Sequence, residues 1–494
     1  MQIPFGEWLP DQPDHLNPGS TVATNVYHAQ TSYKPVKGLV AYSGTSNVTQ
    51  NAKGAGSFRD NTNTVFTFVG TKDNIYKLTS GTFTSVKGSL TISGGDTDFF
   101  TFTQFGNYVI ASNGVNAPMY YLMGTSSNFA TLQSLATSSG SGTVPVKFKI
   151  SGVIRDFLVT GNIENAKNRV QWSGINDIST WESGVSSSDQ QDLPGSGGQV
   201  VAITSGEVGY VFRQDQIIRM DFVGGNVVFR FSVISPNRGA VYGQTVCQDN
   251  RQVFFYASDG FFQINGDQVL PIGAEKVNRF FESDLNKAYT DRITSAVDPF
   301  NTLAIWLYPS KDNPNTTGIC DKLLIYNYVT QKWSIAKVKA SQIFKQFVVA
   351  NTVELMDIIS ENLEDINISL DTAYWTTGHL YLGAIDENFK AAIFSGKTLE
   401  AELETKEQEL FPGLRANITS IRPLVDTVAN VTIKTRDRLA DNVVTSSSSS
   451  MNDTGINPVR QSGRYFRANV KIPAESIWTN AQGIDLTASQ GGSR

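Results

Sequence analysis

Short runs in which apolar and aromatic residues alternate with polar ones recur through most of the chain. They begin at Val65 (VFTFV), Tyr108 (YVIAS), Phe157 (FLVTG), Gly209 (GYVF), Val253 (VFFYAS) and Leu303 (LAIWLY), at gaps of 43, 49, 52, 44 and 50 residues. Most are followed by a polar turn and a second run: NIYKL from Asn74, APMYYL from Ala117, RVQW from Arg169, QIIRMDF from Gln216, GFFQI from Gly260 and KLLIYNY from Lys322. A period of two marks strands, and the turns carry Gly, Asn and Asp, which supply positive φ or side-chain hydrogen bonds. Strand pairs at this spacing fit a sandwich, a barrel or a propeller, and the near-constant period favours the last. The expected fold class is all-β, with a β-propeller-like main body of six or seven blades. A further unit is expected from His379 (HLYLGAI) through KAAIFSG to TLEAELET.

The places where the pattern stops suggest the organisation. Residues 1–41 read as a Pro-rich extended arm with too few apolar residues for a core, and 42–337 as blades. Residues 338–378 read as an insertion, because Leu355, Ile358, Ile359, Leu363 and Ile366 follow helical spacing behind Thr352 as N-cap. Residues 379–412 read as the last blade. Residues 413–494 form a separate set of strands, ANITSIRPLV, NVTIKTRD and RYFRANVKI, expected to join the arm in one small β-domain. Ser446–Ser450 reads as a hairpin tip or linker.

Composition narrows the function classes. Only 17% of residues are charged, with 42 glycines, which argues against a helical bundle. The net charge of -5 lacks the basic footprint of tight nucleic-acid binding. No stretch of about 18 apolar residues occurs, and the start has no basic or apolar leader pattern, so a soluble, cytoplasmically made chain is expected. Cys247 and Cys320 stand apart without a CxxC and are expected as buried free thiols. No phosphate loop is present, and His15, His28 and His379 are too scattered for a metal site or a triad. Ser258-Asp259-Gly260-Phe261-Phe262 resembles part of an Asp-box turn, a structural hairpin in which the Asp accepts backbone N–H bonds. Asp11 and Asp14 are close in sequence, but their Pro-rich setting gives little control over a carboxylate pair. Trp172, Trp181, Trp306, Trp333, Trp375 and Trp478 could stack on sugars, but their settings favour blade packing. No catalytic, cofactor-binding or metal-binding residue is assigned, and no enzymatic activity is expected.

Charge is also unevenly placed. Val353 to Glu409 holds 13 acids against Lys390, Lys397 and Lys406, whereas Arg415 to the end holds ten Arg and Lys against six acids. Arg436, Arg438, Arg464 and Arg467 are the candidate partner interface, a basic face that would meet the acidic run on a neighbouring subunit or adaptor.

The ordered text carries a resemblance. The lead GEWLPDQPDHLNPGSTVATNVYHAQTSYKPVKGLVAYS, the central GYVFRQDQIIRMDF, FSVISPNRGAVYGQTV and VFFYASDGFFQINGDQVLPIGAEKVNRFF, and the close GRYFRANVKIPAESIWTNAQGIDL are similar in order and content to the tail hub, or nozzle, proteins of short-tailed bacteriophages. The resemblance spans Phe5 to Leu486, and its motifs are structural. It implies a non-enzymatic virion component made in the host cytoplasm. Six copies, a homohexamer, would form a tube below the portal and adaptor, with genomic DNA passing without tight binding and a fibre or tailspike attached. A glycan- or host-surface-binding propeller is the alternative, and a glycosidase a more remote one.

Overall fold

The computed structural model describes residues 1–41, 46–79, 81–225, 227–249, 252–313, 318–347 and 380–492. Five consecutive segments, 54–85, 101–131, 148–192, 200–235 and 247–271, each fold into one four-stranded antiparallel sheet in which chain order is pairing order. These are blades one to five. Blade six follows the same rule with Thr294–Asp298, Leu303–Tyr308, Cys320–Asn327 and the first half of the long strand Lys332–Phe347. The second half of that strand, past an irregularity at Ala340 to Gln342, pairs with Leu380–Asp386, which pairs with Ala391–Ile393. The fourth strand of this seventh sheet is Val40–Ala41, from near the start of the chain. The first strands of neighbouring blades pack side by side, and the second half of Lys332–Phe347 closes the ring between Thr294–Asp298 and Gly54–Arg59. Among the described residues the body is therefore a seven-bladed β-propeller.

The runs that announced the repeat all mark the same place in the fold. Val65–Gly70, Tyr108–Ser112, Phe157–Ile163, Val208–Arg213, Gln252–Ala257 and Leu303–Tyr308 are the second strands of blades one to six. A second strand is covered on both faces by adjacent blades, so its side chains are buried almost without interruption, as along Phe157–Ile163 and Leu303–Tyr308. The innermost strands read differently because they face the axis. Gly54–Arg59 (GAGSFR), Thr101–Phe105 (TFTQF) and Thr294–Asp298 (TSAVD) mix small, hydroxyl and apolar residues. Where two blades touch, size decides. A Cβ at Gly54 would lie 2.3 Å from the Phe100 carbonyl oxygen, and one at Gly70 2.4 Å from the Phe100 ring, so these glycines let blade two close onto blade one.

The terminal segments build a β-sandwich. One sheet runs Val26–Ala29, Ser32–Pro35, Ala481–Gln490, Ala416–Val425, Asn457–Gly463, with Gln2–Pro4 also on Ala481–Gln490. The other runs Ala23–Thr24, Ala401–Glu404, Tyr465–Ile472, Asn430–Arg436. Thr24 also pairs in parallel with Ile335 of blade six, so the second sheet continues into the propeller. One hydrophobic core accordingly runs from Ile3, Trp8 and Tyr33 through Ile433, Val470 and Ile484 to Phe261, Trp306 and Trp333.

Three expectations need correction. The start of the chain is not an extended arm without a core: Ile3, Trp8, Ala23, Val26 and Tyr33 are buried, and the Tyr33 hydroxyl donates to the Gly6 carbonyl at 2.7 Å. The few apolar residues suffice because the C-terminal strands supply the opposing surface. TLEAELET does not finish the last blade, since Ala401–Glu404 crosses into the sandwich and Val40–Ala41 takes its place. Residues 338–347 of the expected insertion are strand, held by Leu380–Asp386. The helix expected around Leu355 to Ile366, Trp375 and His379 lie outside the described residues.

Candidate site at the mouth of the central channel

All inner strands of the blades start on one face of the ring, so the loops that precede them converge there around the axis. A cavity of about 450 Å³ opens at this mouth, beside two adjoining lobes of about 400 and 520 Å³. Phe99 and Gln244 line all three. Gln244 is placed there by a 3-10 turn, Gly243–Thr245, which enters the first strand of blade five and is tied down by Ser295 Oγ donating to the Gln244 carbonyl at 2.8 Å. The lobe along the inner strands has a mixed wall, with Phe58, Phe102, Val153 and Ile203 beside Thr103, Gln104, Ser151 and Gln248.

The outer part of the mouth is charged. Lys72 Nζ lies 3.2 Å from Asp96, and Lys53 Nζ donates to the Asp96 carbonyl. Lys149 Nζ stands 3.7 Å from Asp98 and 4.4 Å from the centre of the Phe99 ring. Burial pulls both Lys53 and Lys149 below the usual ammonium range, with the nearby aspartates opposing that shift. Asp291 and Arg292, just before blade six, complete the cluster. The Arg292 guanidinium stacks 4.0 Å over the Tyr289 ring, and its Nη1 is buried with no acceptor among the described residues. Among the described residues the Asp291 carboxylate makes no hydrogen bond or ion pair, and it acts on Lys53 and Lys149 only at longer range.

A different buried cation lies on the same face. Arg213 is 2% exposed and donates to the carbonyls of Pro194, Gly195 and Gly198 and to Gln216 Oε1, at 2.7 to 3.1 Å. It clamps the crossing from blade three to blade four with neutral acceptors alone, and burial lowers its affinity for a proton.

The four arginines expected as an interface do not share one free face. Arg436 pairs with Glu407 and donates to the Leu439 carbonyl at 2.8 Å, with its side chain 12% exposed. Arg467 is held by Asp14 at 3.0 Å and Glu404 at 3.2 Å. Two of the four thus answer acids of the same chain, and Glu404 and Glu407 belong to the acidic run expected to serve a neighbour. A count along the sequence could not see this, because the pairing depends on the sandwich register. Arg438 is exposed and Arg464 partly exposed.

The other singled-out residues have structural partners. Asp259 sits in the turn between the second and third strands of blade five, but its carboxylate takes the Arg238 guanidinium at 2.6 and 3.0 Å rather than backbone N–H groups. Asp11 accepts from the Arg279 and Phe280 amides at 2.9 and 2.7 Å, capping the helix Asn278–Asp284, so it does not converge with Asp14. His15 packs edge-on against Tyr465, and buried His28 faces Lys332 Nζ at 3.0 Å. Cys247 and Cys320 are buried free thiols, and burial pushes Cys247 up to about 12. Trp172, Trp181, Trp306, Trp333 and Trp478 are buried. The mouth itself escaped the sequence reading. Its residues lie in loops between blades, and only the blade register reveals that those loops meet.

No family model matches the chain, and no curated protein matches it. Solved structures similar to parts of it include the Neurospora crassa Pan2 WD40 domain, at TM-score 0.38 and 8% identity over 74% of this chain and 96% of that one. A chain of the mitotic checkpoint complex gives 0.35 and 8% over 75% and 98%. The extracellular domain of a one-component system of B. thetaiotaomicron gives 0.38 and 10% over 81% of this chain and 44% of that one. The propeller assignment rests on the strand pairings above.

Proposed function

We propose that the chain is a non-enzymatic structural subunit of a phage tail, a hub or nozzle protein. It assembles as a homohexameric ring or tube below the portal and adaptor and carries a fibre or tailspike. The observation that carries this reading is the ordered likeness of Gly209 to Phe281 to such proteins, a stretch that here makes the last three strands of blade four, blade five and the start of the helix behind it. Two features of the molecule support it. The sandwich shares its core with blade six, so a neighbour would meet one rigid body and not a tethered domain. Phe300 is 76% exposed and Val329 66% exposed on turns of blade six at the face opposite the channel mouth, apolar area that a packed neighbour would cover.

The DNA path in this reading is the lumen between copies. The test is electron microscopy and mass photometry of the purified full chain, alone and mixed with a portal and adaptor complex. Six-membered rings or a ring seated on the adaptor are expected. Monomers under both conditions would overturn the proposal. Arg438→Glu should weaken seating more at low salt than at high salt, where screening already removes the attraction.

A further inference from the structure

We infer that the channel mouth is a binding site for an acidic sugar, with Arg292 taking the carboxylate and Asp291 taking ring hydroxyls. The inference does not rest on the tail-assembly reading. Its starting point is the unequal use of the charges around the cavity. Lys53, Lys72, Asp96 and Asp98 hold one another or backbone groups. Asp291 and Arg292 do not, although both line the same cavity and one guanidinium nitrogen is buried. A buried donor without an acceptor costs free energy unless something supplies the acceptor. A planar guanidinium fixed over Tyr289 presents a fork that matches a carboxylate. An adjacent unpaired carboxylate cannot accept a second anion, but it accepts from hydroxyls.

The rest of the wall decides between a sugar acid and a simpler anion. Gln50, Gln244, Gln342, Asn162 and Gln199 line the main cavity and its neighbour. Side-chain amides offer a donor and an acceptor each, the complement of hydroxyls that do both. The Gln50, Gln342 and Asn162 amides already donate within the chain, but a sulfate or a small amino acid would leave Asp291 and Gln244 unanswered. A hexuronate or other carboxylated pyranose offers a carboxylate to Arg292 and hydroxyls to Asp291 and the Gln244 amide at once, and a cavity of about 450 Å³ holds it.

Titration calorimetry on the full chain tests this with glucuronate and galacturonate as probes, against galactose, glutamate and inorganic sulfate. The uronates are expected to bind at millimolar concentration or tighter and at least about tenfold better than galactose. Arg292→Gln should lose about tenfold in uronate affinity and little in galactose affinity. Asp291→Asn should weaken both sugars, because it acts on hydroxyls. Arg155→Gln, on the opposite face beside Glu207, should change neither. If Arg292→Gln fails to fold by circular dichroism, Asp291→Asn and Gln244→Ala decide in its place. Absence of uronate binding, sulfate or glutamate binding as tight as the uronates, or uronate binding indifferent to these substitutions would overturn the inference.

Discussion

The sandwich and the channel mouth hold comparable sets of charges and treat them in opposite ways. In the sandwich, Glu404, with its side chain 1% exposed, receives Lys434 at 2.5 Å and Arg467 at 3.2 Å, with Asn469 Nδ2 at 3.3 Å. Glu407 takes Arg436, and Glu400 takes Lys471 at 2.8 Å. At the mouth, Lys149 and Asp98 stand 3.7 Å apart, and among the described residues Asp291 and Arg292 have no charged partner in contact. The difference teaches how to read buried charge. A carboxylate matched on all sides belongs to the fold, whereas loose charges around a cavity are available to something else.

The largest effect is therefore expected in the sandwich. Glu404→Ala leaves the half-buried Lys434 without its acid and Arg467 with Asp14 alone, and should cost about 3 kcal/mol. Urea unfolding followed by tryptophan fluorescence checks it, with Glu404→Gln expected to retain part of the loss. A change under about 1 kcal/mol would show that the network contributes nothing to stability. Next in size is Arg213, the buried cation of the propeller. Arg213→Met should cost about 3 kcal/mol, because four carbonyl or amide acceptors lose their donor together. Proteolysis near residues 194–198 should accelerate in that variant.

The junction between the two regions supplies a pH test of intermediate size. His28, 3% exposed in Val26–Ala29, faces Lys332 of blade six and packs edge-on against Tyr33. Burial first, and the Lys332 charge second, lower its proton affinity from 6.5 to about 4. In the unfolded chain the imidazole takes up its proton near 6.5, so folded stability is complete above that pH. It falls as pH drops from 6.5 to 4 and then levels off. The loss should be on the order of 2 kcal/mol, and His28→Gln should remove that part of the pH dependence. Stability that is flat across this window in the parent chain would break the assignment.

What is legible in the sequence follows from where each strand sits. The second strands of the blades are sealed on both faces, so their apolar runs stand out at a steady period. The inner strands face a channel, and their Gly, Ser and Thr look like loop text. The N-terminal segment reads as an arm because its core partners, such as Ile421, Val470 and Ile484, lie hundreds of residues downstream. The basic residues are visible, but their partners are not. The strand Tyr465–Ile472 sets Asn469 opposite Glu404 on one side and Thr432 on the other, a register that no local pattern encodes.

The smallest expected effect sharpens the comparison most. Asp291→Asn removes a charge that has no hydrogen bond or ion pair among the described residues, so its stability cost should lie within about 0.5 kcal/mol. A slight gain fits as well, since an amide replaces a carboxylate that acts on Lys53 and Lys149 only at longer range. The same acid-to-amide change at Glu404 should cost several times more. Measuring both by one denaturation protocol turns the contrast between the two regions into a single ratio. Equal losses at the two positions would mean that the mouth carboxylate holds the fold together as firmly as the one in the sandwich. A large ratio leaves Asp291 without a structural task, and a carboxylate of that kind beside a cavity is the group a ligand would find unoccupied.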